Sequence, residues 1–148
     1  MRALVCLVLM STSLQALAAP CGGAAGDYHV NKNGEVGGFV AYTAFAGKNV
    51  YIGSGAQVCD EARVFDYAQV TGQAIVKDRA QVFGEARVYG SAKVYEGAQV
   101  YDRAAVWENA EAYGESRIYG IAGLKGNVKV YGRARMFDAT YGGNARYF

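Results

Sequence analysis

The sequence predicts an all-β fold, a single-stranded parallel β-helix, and three observations support this prediction. From residue 56 to residue 139 the chain repeats every six residues, as fourteen units of the form A-x-V-x-(D/G/E)-x without a gap. The two apolar positions of each unit lie two residues apart, which is the spacing of one face of a strand. The fifth position is always Gly, Asp or Glu, a composition typical of tight corners. A helix, whose buried face recurs about every 3.6 residues, does not fit a period of six.

Each unit reads as a three-residue strand followed by a corner. The first position is Ala in twelve of the fourteen units, and the third is always apolar and mostly Val. Both point to one side of the strand, while the residue between them is mostly polar and points outward. Gly adopts a backbone with φ > 0 freely and Asp tolerates it, so these residues suit the fifth position. Glu96 and Glu108 fit that position less comfortably.

No single unit can bury its apolar side alone, and stacked coils bury a continuous core. Three units closing one triangular coil make eighteen residues. The column of third positions extends backward through Ile52, Ala46 and Val40, which gives seventeen units from Val40 to Met136, or between five and six coils. With strands about 4.8 Å apart, the stack is roughly 25 Å tall.

The segments outside the strict repeat complete the predicted organisation. Residues 1–18 contain an apolar run and an A-x-A site at Ala16 to Ala18, which predicts a signal peptide. Residues 19–39 are an N-terminal segment and cap, residues 40–139 are the solenoid, and residues 140–148 are a C-terminal cap in which the repeat arrives one residue early. We therefore expect an exported protein, periplasmic, secreted or on the cell surface, with no transmembrane segment in the mature chain.

The charge balance and the cysteines bear on two further properties, nucleic-acid binding and disulfide formation. The chain has 15 Lys and Arg against 13 Asp and Glu, which argues against nucleic-acid binding by a basic face. Cys6 leaves with the signal peptide, so Cys21 and Cys59 remain. In an exported chain these two favour a disulfide that ties the N-terminal segment to the first repeats, the alternative being two free thiols.

A resemblance to a known family follows from the repeat read in its other phase. The units V-C-D-E-A-R, V-F-D-Y-A-Q, V-T-G-Q-A-I and V-K-D-R-A-Q resemble the bacterial hexapeptide repeat. The lead-in from Gly34 to Val40 is similar to that of a subgroup rich in A-x-V-Y-G units, often labelled as transferases or polymer-forming proteins. The resemblance covers residues 34 to about 139 and implies a left-handed coil. The residue after the valine, often small in the family's enzymes, is usually aromatic here.

Eighteen residues per coil place residues i and i+18 above one another, so the exterior resolves into columns. The residues that follow the core position form three such columns. They read Phe65, Phe83, Tyr101, Tyr119, Phe137; then Cys59, Lys77, Tyr95, Tyr113, Tyr131; then Thr71, Tyr89, Trp107, Lys125. Beside the first column the outward strand residues read Arg63, Gln81, Gln99, Arg117, Arg135.

The first column and its Arg and Gln neighbours are the candidate binding surface. Sugar rings pack on aromatic side chains while their hydroxyls take hydrogen bonds, so a flat aromatic face lined with donors suits a glycan. The alternative is a purely structural role, because in-register aromatic ladders stabilise any stacked sheet.

A column of acidic corners, Asp60, Asp78 and Glu96, allows two interpretations. Carboxylates one strand spacing apart repel each other unless they are compensated, and Lys77 and Arg79, beside Asp78, can do so. A calcium ion is the sharper hypothesis, but corner Asp residues usually serve the turn. We therefore expect no metal and no cofactor.

Enzymatic activity has little support in the sequence. Acyltransferases of the family that the repeat resembles use a histidine as general base, and the only histidine of this chain, His29, lies outside the strict repeats. No inserted loop interrupts residues 56–139 to form a cleft wall. The expected function is an exported, non-catalytic structural or adhesive module that binds glycan or associates with itself, with an acyltransferase as the alternative.

Overall fold

The computed structural model describes residues 18–148, and these form a β-solenoid of about six coils. The predicted signal peptide lies outside the described residues except for Ala18. No helix among residues 18–148 is long and apolar enough to cross a membrane. A short 3₁₀ turn at Pro20–Gly23 precedes the first strand. In chain order the strands are β1 (Gly26–Val30), β2 (Val36–Ala41), β3 (Phe45–Ala46), β4 (Tyr51–Ile52), β5 (Gln57–Val58), β6 (Arg63–Val64), β7 (Gln69–Val70), β8 (Ile75–Val76), β9 (Gln81–Val82), β10 (Arg87–Val88), β11 (Lys93–Val94), β12 (Gln99–Val100), β13 (Ala105–Val106), β14 (Glu111–Ala112), β15 (Arg117–Tyr119), β16 (Gly123–Leu124), β17 (Lys129–Val130), β18 (Arg135–Phe137), β19 (Thr140–Tyr141) and β20 (Arg146–Tyr147).

The strands form three sheets, one for each side of the triangular coil, and all neighbouring strands except β1 and β2 pair in parallel. Sheet A has the order β1-β2-β5-β8-β11-β14-β17-β20, sheet B the order β3-β6-β9-β12-β15-β18, and sheet C the order β4-β7-β10-β13-β16-β19. Neighbouring strands pair eighteen residues apart, for example Val58 with Val76 in sheet A and Val88 with Val106 in sheet C. The predicted fold class and coil length are confirmed.

The interior consists of the first and third positions of the repeat. The inward Ala and Val side chains from Ala62 to Ala112 are all 0% exposed. The column also extends backward as predicted, because Ala46 pairs with Val64 and Ile52 with Val70. Alternating small and medium side chains fill this narrow interior without polar groups, apart from Ser116, whose buried hydroxyl has no hydrogen-bond partner among residues 18–148.

The corners adopt the left-handed backbone that the repeat predicts. Asp60, Asp78, Glu96 and Glu108 have φ between 56° and 59°. Each of their carboxylates accepts a hydrogen bond from the backbone N–H of the same corner one coil later, as Glu96 does from Gly114 at 2.7 Å. Glu is therefore accommodated at this position, because its longer side chain still reaches the next coil.

The N-terminal end of the solenoid is covered by an antiparallel hairpin of β1 and β2. The side-chain amide of Asn31 donates to the carbonyl oxygen of Ile52 at 3.0 Å and accepts from its N–H at 2.9 Å. Asn31 thus supplies the hydrogen bonds that a further strand would give to β4. A Cβ atom at Gly37 would overlap the Ile52 carbonyl oxygen, and one at Gly38 would overlap that of Ala56, so the two glycines allow the hairpin to lie close to the first coil.

The last coil is one residue shorter than the others. Thr140 pairs with Gly123 and Arg146 with Lys129, a spacing of 17 residues. Residues 140–148 continue sheets C and A as β19 and β20. Tyr141 and Tyr147 pack on the core in place of smaller aliphatic residues, with their rings 5.3 Å apart edge to face.

Candidate functional site

The predicted aromatic column is an unbroken ladder on sheet B. We call it the aromatic strip: Phe65, Phe83, Tyr101, Tyr119 and Phe137. Consecutive ring centroids are 4.9, 5.0, 5.3 and 5.7 Å apart, with interplanar angles of 1° to 21°. The first four rings are half-buried and Phe137 is 53% exposed. The repeat of eighteen residues therefore brings all five rings together in one line along the solenoid axis.

The predicted polar column runs parallel to the aromatic strip on the same sheet. Arg63, Gln81, Gln99, Arg117 and Arg135 stand in register, one per coil. Each lies two residues before a ring of the strip, so the two columns are roughly 6.5 Å apart along the strand. The three arginines are exposed and the two glutamines half-buried. Arg63 and Gln81 line a depression of ≈ 530 Å³, and Gln99, Arg117 and Arg135 line another of ≈ 330 Å³.

Acceptors lie on the opposite side of the strip, at the corners that follow its rings. Asp66 and Asp102 each use one carboxylate oxygen to accept a backbone N–H of the next coil, from Gly84 at 3.1 Å and from Gly120 at 3.0 Å. Asp138, in the last coil, accepts instead from Ile121 at 3.2 Å. The second oxygen of each exposed carboxylate remains available. The strip is thus bordered by donors on one side and acceptors on the other, a pairing that sugar hydroxyls can use in both directions.

The stacking within the strip limits how a ligand can contact it. Parallel rings about 5 Å apart cover one another's faces, so the inner rings present edges rather than open faces. Only a ring at the end of the ladder, such as Phe137, can offer a face. The geometry of this face therefore favours hydrogen bonding through the flanking columns over the face stacking that the sequence suggested.

The other two predicted columns are also ladders, each with a feature of its own. On sheet A, Tyr95, Tyr113 and Tyr131 stack at 4.9 and 5.3 Å, and Phe148 extends the stack at 5.9 Å. On sheet C, Tyr89 and Trp107 stack at 5.7 Å. A Cβ atom at Gly123 would lie about 2.8 Å from the edge of the Trp107 indole, so the glycine leaves room for that ring.

The carboxylates of the acidic corner column, Asp60, Asp78 and Glu96, accept backbone N–H groups of the next coil. Among residues 18–148 no group of three or more His, Cys, Asp or Glu side chains is placed to hold a metal ion. Lys77 and Arg79, which neighbour Asp78 in the sequence, take part in neither of the two ion pairs found among the described residues, Lys129–Glu111 and Arg133–Glu115. The corner carboxylates are satisfied by backbone N–H groups, which pair each coil with the next.

His29 lies in β1, in the hairpin that covers the N-terminal end. Its Nε2 atom is buried without a hydrogen-bond partner among the described residues. Burial lowers the pKa of His29, and a hydrogen bond with the Val50 backbone opposes this to a smaller extent. The side chain lines a shallow depression of ≈ 380 Å³ together with Asp27 and Tyr42.

The predicted disulfide is present and creates a feature that the repeat pattern did not reveal. Cys21 and Cys59 are bonded, with their Cα atoms 5.4 Å apart. The Cys21 N–H also donates to Oε1 of Gln57 at 2.8 Å. Together these contacts fix the 3₁₀ turn against the exterior of sheet A. Between this turn and the next coils lies a groove of ≈ 600 Å³, the sheet A groove, and its lining includes Gln57, Ile75, Lys77, Lys93, Tyr95 and Glu111.

The fold and its columns define a class of protein, the β-solenoid repeat proteins. A family model described as "YdcK Beta solenoid repeat" matches residues 80–96, within the strict repeat. Comparisons with curated proteins and with solved structures gave no match. The match and the three stacked sheets together support a β-helix repeat protein, and the assignment to the hexapeptide subgroup stays a prediction.

Proposed function

We propose that the protein is an exported, non-catalytic β-solenoid that acts as a structural and adhesive module and binds glycan along the aromatic strip. The observation that carries this proposal is the in-register pairing of the strip with the column of Arg63, Gln81, Gln99, Arg117 and Arg135. A regular array of one donor and one ring per coil suits a ligand that is itself a linear repeat.

In this proposal the glycan lies along the solenoid axis and crosses successive coils. Its hydroxyls accept from guanidinium and amide groups of the polar column and donate to the corner carboxylates of Asp66 and Asp102. The phenol groups of Tyr101 and Tyr119 add donors at the centre of the strip. Because the contacts are mostly single hydrogen bonds to exposed side chains, each worth about 0.5–1.5 kcal/mol, affinity depends on engaging several coils at once.

The non-catalytic part of the proposal is supported by the setting of His29. A general base must reach the proton it removes and hold a pKa near the working pH. The Nε2 atom of His29 is buried, and burial lowers the pKa of this group. The alternative, a hexapeptide-type acyltransferase with His29 as base, predicts acyl-coenzyme A binding that is coupled to turnover lost in His29→Ala.

Export is supported by the Cys21–Cys59 disulfide, because such bonds persist in oxidising compartments. Protein recovered from the culture medium or the periplasm is treated with a thiol reagent. If the protein is exported and Cys21 is bonded to Cys59, no titratable thiol is found. Two titratable thiols in that fraction contradict it.

A glycan array tests the binding proposal. We expect retention of the wild-type protein, loss of retention in the double variant Tyr101→Ala/Tyr119→Ala, and unchanged retention in the control Tyr113→Ala, which removes a stacked ring from sheet A instead. Circular dichroism checks that the wild-type protein, the double variant and the control have the same fold. Absence of wild-type retention on any glycan, or equal loss in the control, contradicts the proposal.

A purely structural role makes a different prediction. Because the inner rings of the strip pack on each other, the ladder stabilises the stack whether or not anything binds to it. A scaffold acting through self-association is expected to sediment as an oligomer whose size increases with concentration. A strict monomer at high concentration counts against that role and leaves the glycan proposal in place.

A further inference from the structure

The sheet A groove lies on a different side of the solenoid from the aromatic strip. We propose that it binds a small organic carboxylate, whose anionic group is held by Lys77 and Lys93 and whose apolar body packs on Ile75 and the edge of the Tyr95 ring. This inference does not rest on glycan binding by the strip. The groove's volume of ≈ 600 Å³ lies within the usual range for small-molecule sites.

The acidic groups of the groove already have partners within the protein. Oε2 of Glu111 accepts from the Tyr95 hydroxyl at 3.1 Å and from Nζ of Lys129 at 3.3 Å. Oδ2 of Asp60 accepts from the backbone N–H of Asp78 at 3.2 Å. Lys129 is thus the ion-pair partner of Glu111 and a backbone N–H is the partner of Asp60, so neither carboxylate is bonded to Lys77 or Lys93.

The two lysines, by contrast, retain unused donors. Neither takes part in the ion pairs found among residues 18–148, which involve Lys129 and Arg133. Nζ of Lys77 lies 5.5 Å from the centre of the Tyr95 ring, a cation–π contact that positions it without using its N–H groups. Lys93 precedes Tyr95 by two residues on the same exposed face. A carboxylate between them accepts charge-assisted hydrogen bonds, which are roughly twice as strong as neutral ones.

The apolar lining selects for a ligand with a hydrophobic body. Ile75 and Tyr95 are half-buried on the groove floor, and the disulfide at Cys59 adds further apolar surface. Gln57 uses Oε1 for the Cys21 N–H, which leaves its amide nitrogen as a donor toward the groove. A ligand with a carboxylate at one end and a compact apolar group at the other matches this arrangement.

One wall of the groove depends on the disulfide. The 3₁₀ turn that forms it is attached to the solenoid through the Cys21–Cys59 bond and the Gln57 contact. The solenoid itself does not need this turn, because residues 56–139 pair coil to coil. Loss of the bond is therefore expected to weaken ligand binding while the core stays folded.

The test uses sodium phenylacetate as the probe, with phenylacetamide as its uncharged equivalent, titrated into the oxidised protein and followed by NMR. We expect saturable shifts at Tyr95 and Ile75 with phenylacetate, and affinity lower by about tenfold or more for the amide. The double variant Lys77→Gln/Lys93→Gln should bind phenylacetate more weakly than the wild type by the same factor. The double variant Cys21→Ser/Cys59→Ser should also bind phenylacetate more weakly. Lys125→Gln, an equivalent change on sheet C, should have no effect.

Several outcomes overturn this inference. They are no saturation at millimolar phenylacetate, equal binding of the amide, full binding by the double lysine variant, and shifts that map outside the sheet A groove. Thermal unfolding of each variant shows whether the fold is kept. If a variant unfolds, the comparison of phenylacetate with phenylacetamide on the wild-type protein still decides the question.

Discussion

The carboxylate of Asp78 accepts a hydrogen bond from the backbone N–H of Glu96, the residue that occupies the same corner one coil later, at 3.0 Å. Glu96 in turn accepts from Gly114 at 2.7 Å, so one corner of the solenoid carries a chain of side-chain to backbone bonds. Each acidic corner residue therefore has two functions. It adopts the left-handed turn, and it links its coil to the next.

These two functions can be separated at Asp102, whose Oδ2 accepts from the Gly120 N–H at 3.0 Å. Asp102→Asn keeps both functions and is expected to be near neutral. Asp102→Gly keeps the turn but loses the bond, which costs about 1 kcal/mol. Asp102→Ala loses the bond and adds left-handed strain of about 1–2 kcal/mol. Urea unfolding measures the series, and an alanine variant as stable as the wild type would contradict the assignment.

The N-terminal hairpin is expected to depend on Asn31, which is 3% exposed and satisfies both backbone groups of Ile52. Asn31→Ala leaves those groups unpaired, and each buried unpaired group costs about 1–3 kcal/mol. Asn33→Ala in the same turn is the control, because Asn33 is exposed and accepts only from Glu35 N–H. Hydrogen exchange at the Ile52 amide should accelerate in the first variant and not in the second. Unchanged protection in Asn31→Ala would disprove the capping role.

Ser116 offers a stabilising change. It occupies the alanine position of its unit, it is 0% exposed, and its hydroxyl has no partner among the described residues. Because an unpaired buried hydroxyl costs about 1–3 kcal/mol, Ser116→Ala should raise the free energy of unfolding by about 1 kcal/mol. Lower stability of the alanine variant in chemical denaturation would indicate that the hydroxyl is satisfied.

His29 predicts a dependence of stability on pH. Burial lowers its pKa in the folded state, so the unfolded chain binds the proton more readily below the ordinary value of 6.5. Stability from the neutral imidazole is therefore complete above pH 6.5 and declines as the pH falls through the lowered folded-state pKa. His29→Gln should unfold at a temperature that changes less between neutral and acidic pH than the wild type does. Parallel curves for the two proteins would show that His29 is not responsible.

The six-residue repeat explains why most of the fold and the exterior columns could be predicted from the sequence. A strict period of six places every residue from Ala56 to Asp138 in a coil, and hence predicts the buried Ala and Val positions, the left-handed corners and the three exterior columns. Regular pairing at eighteen residues leaves no freedom in register, because a shift by one residue would expose the core.

Features outside the period could not be predicted in the same way. The cap role of Asn31 and the contact of Phe148 with Tyr131 depend on segments that meet the solenoid at irregular positions. The sheet A groove required the location of the 3₁₀ turn, which the Cys21–Cys59 pairing indicates only in outline. The backbone partners of the corner carboxylates could not be predicted either, because neighbouring Lys77 and Arg79 are evident in the sequence, whereas a backbone N–H one coil away is not.

Glycan binding along the aromatic strip is tested most directly by mapping the bound glycan on the protein. Backbone NMR shifts are recorded while the best-retained glycan is titrated into the wild-type protein. Glycan binding along the aromatic strip predicts changes confined to sheet B, at Gln99, Tyr101, Arg117 and neighbouring strip residues. Changes centred on sheet A or sheet C, or no saturable change at all, would contradict glycan binding along the aromatic strip.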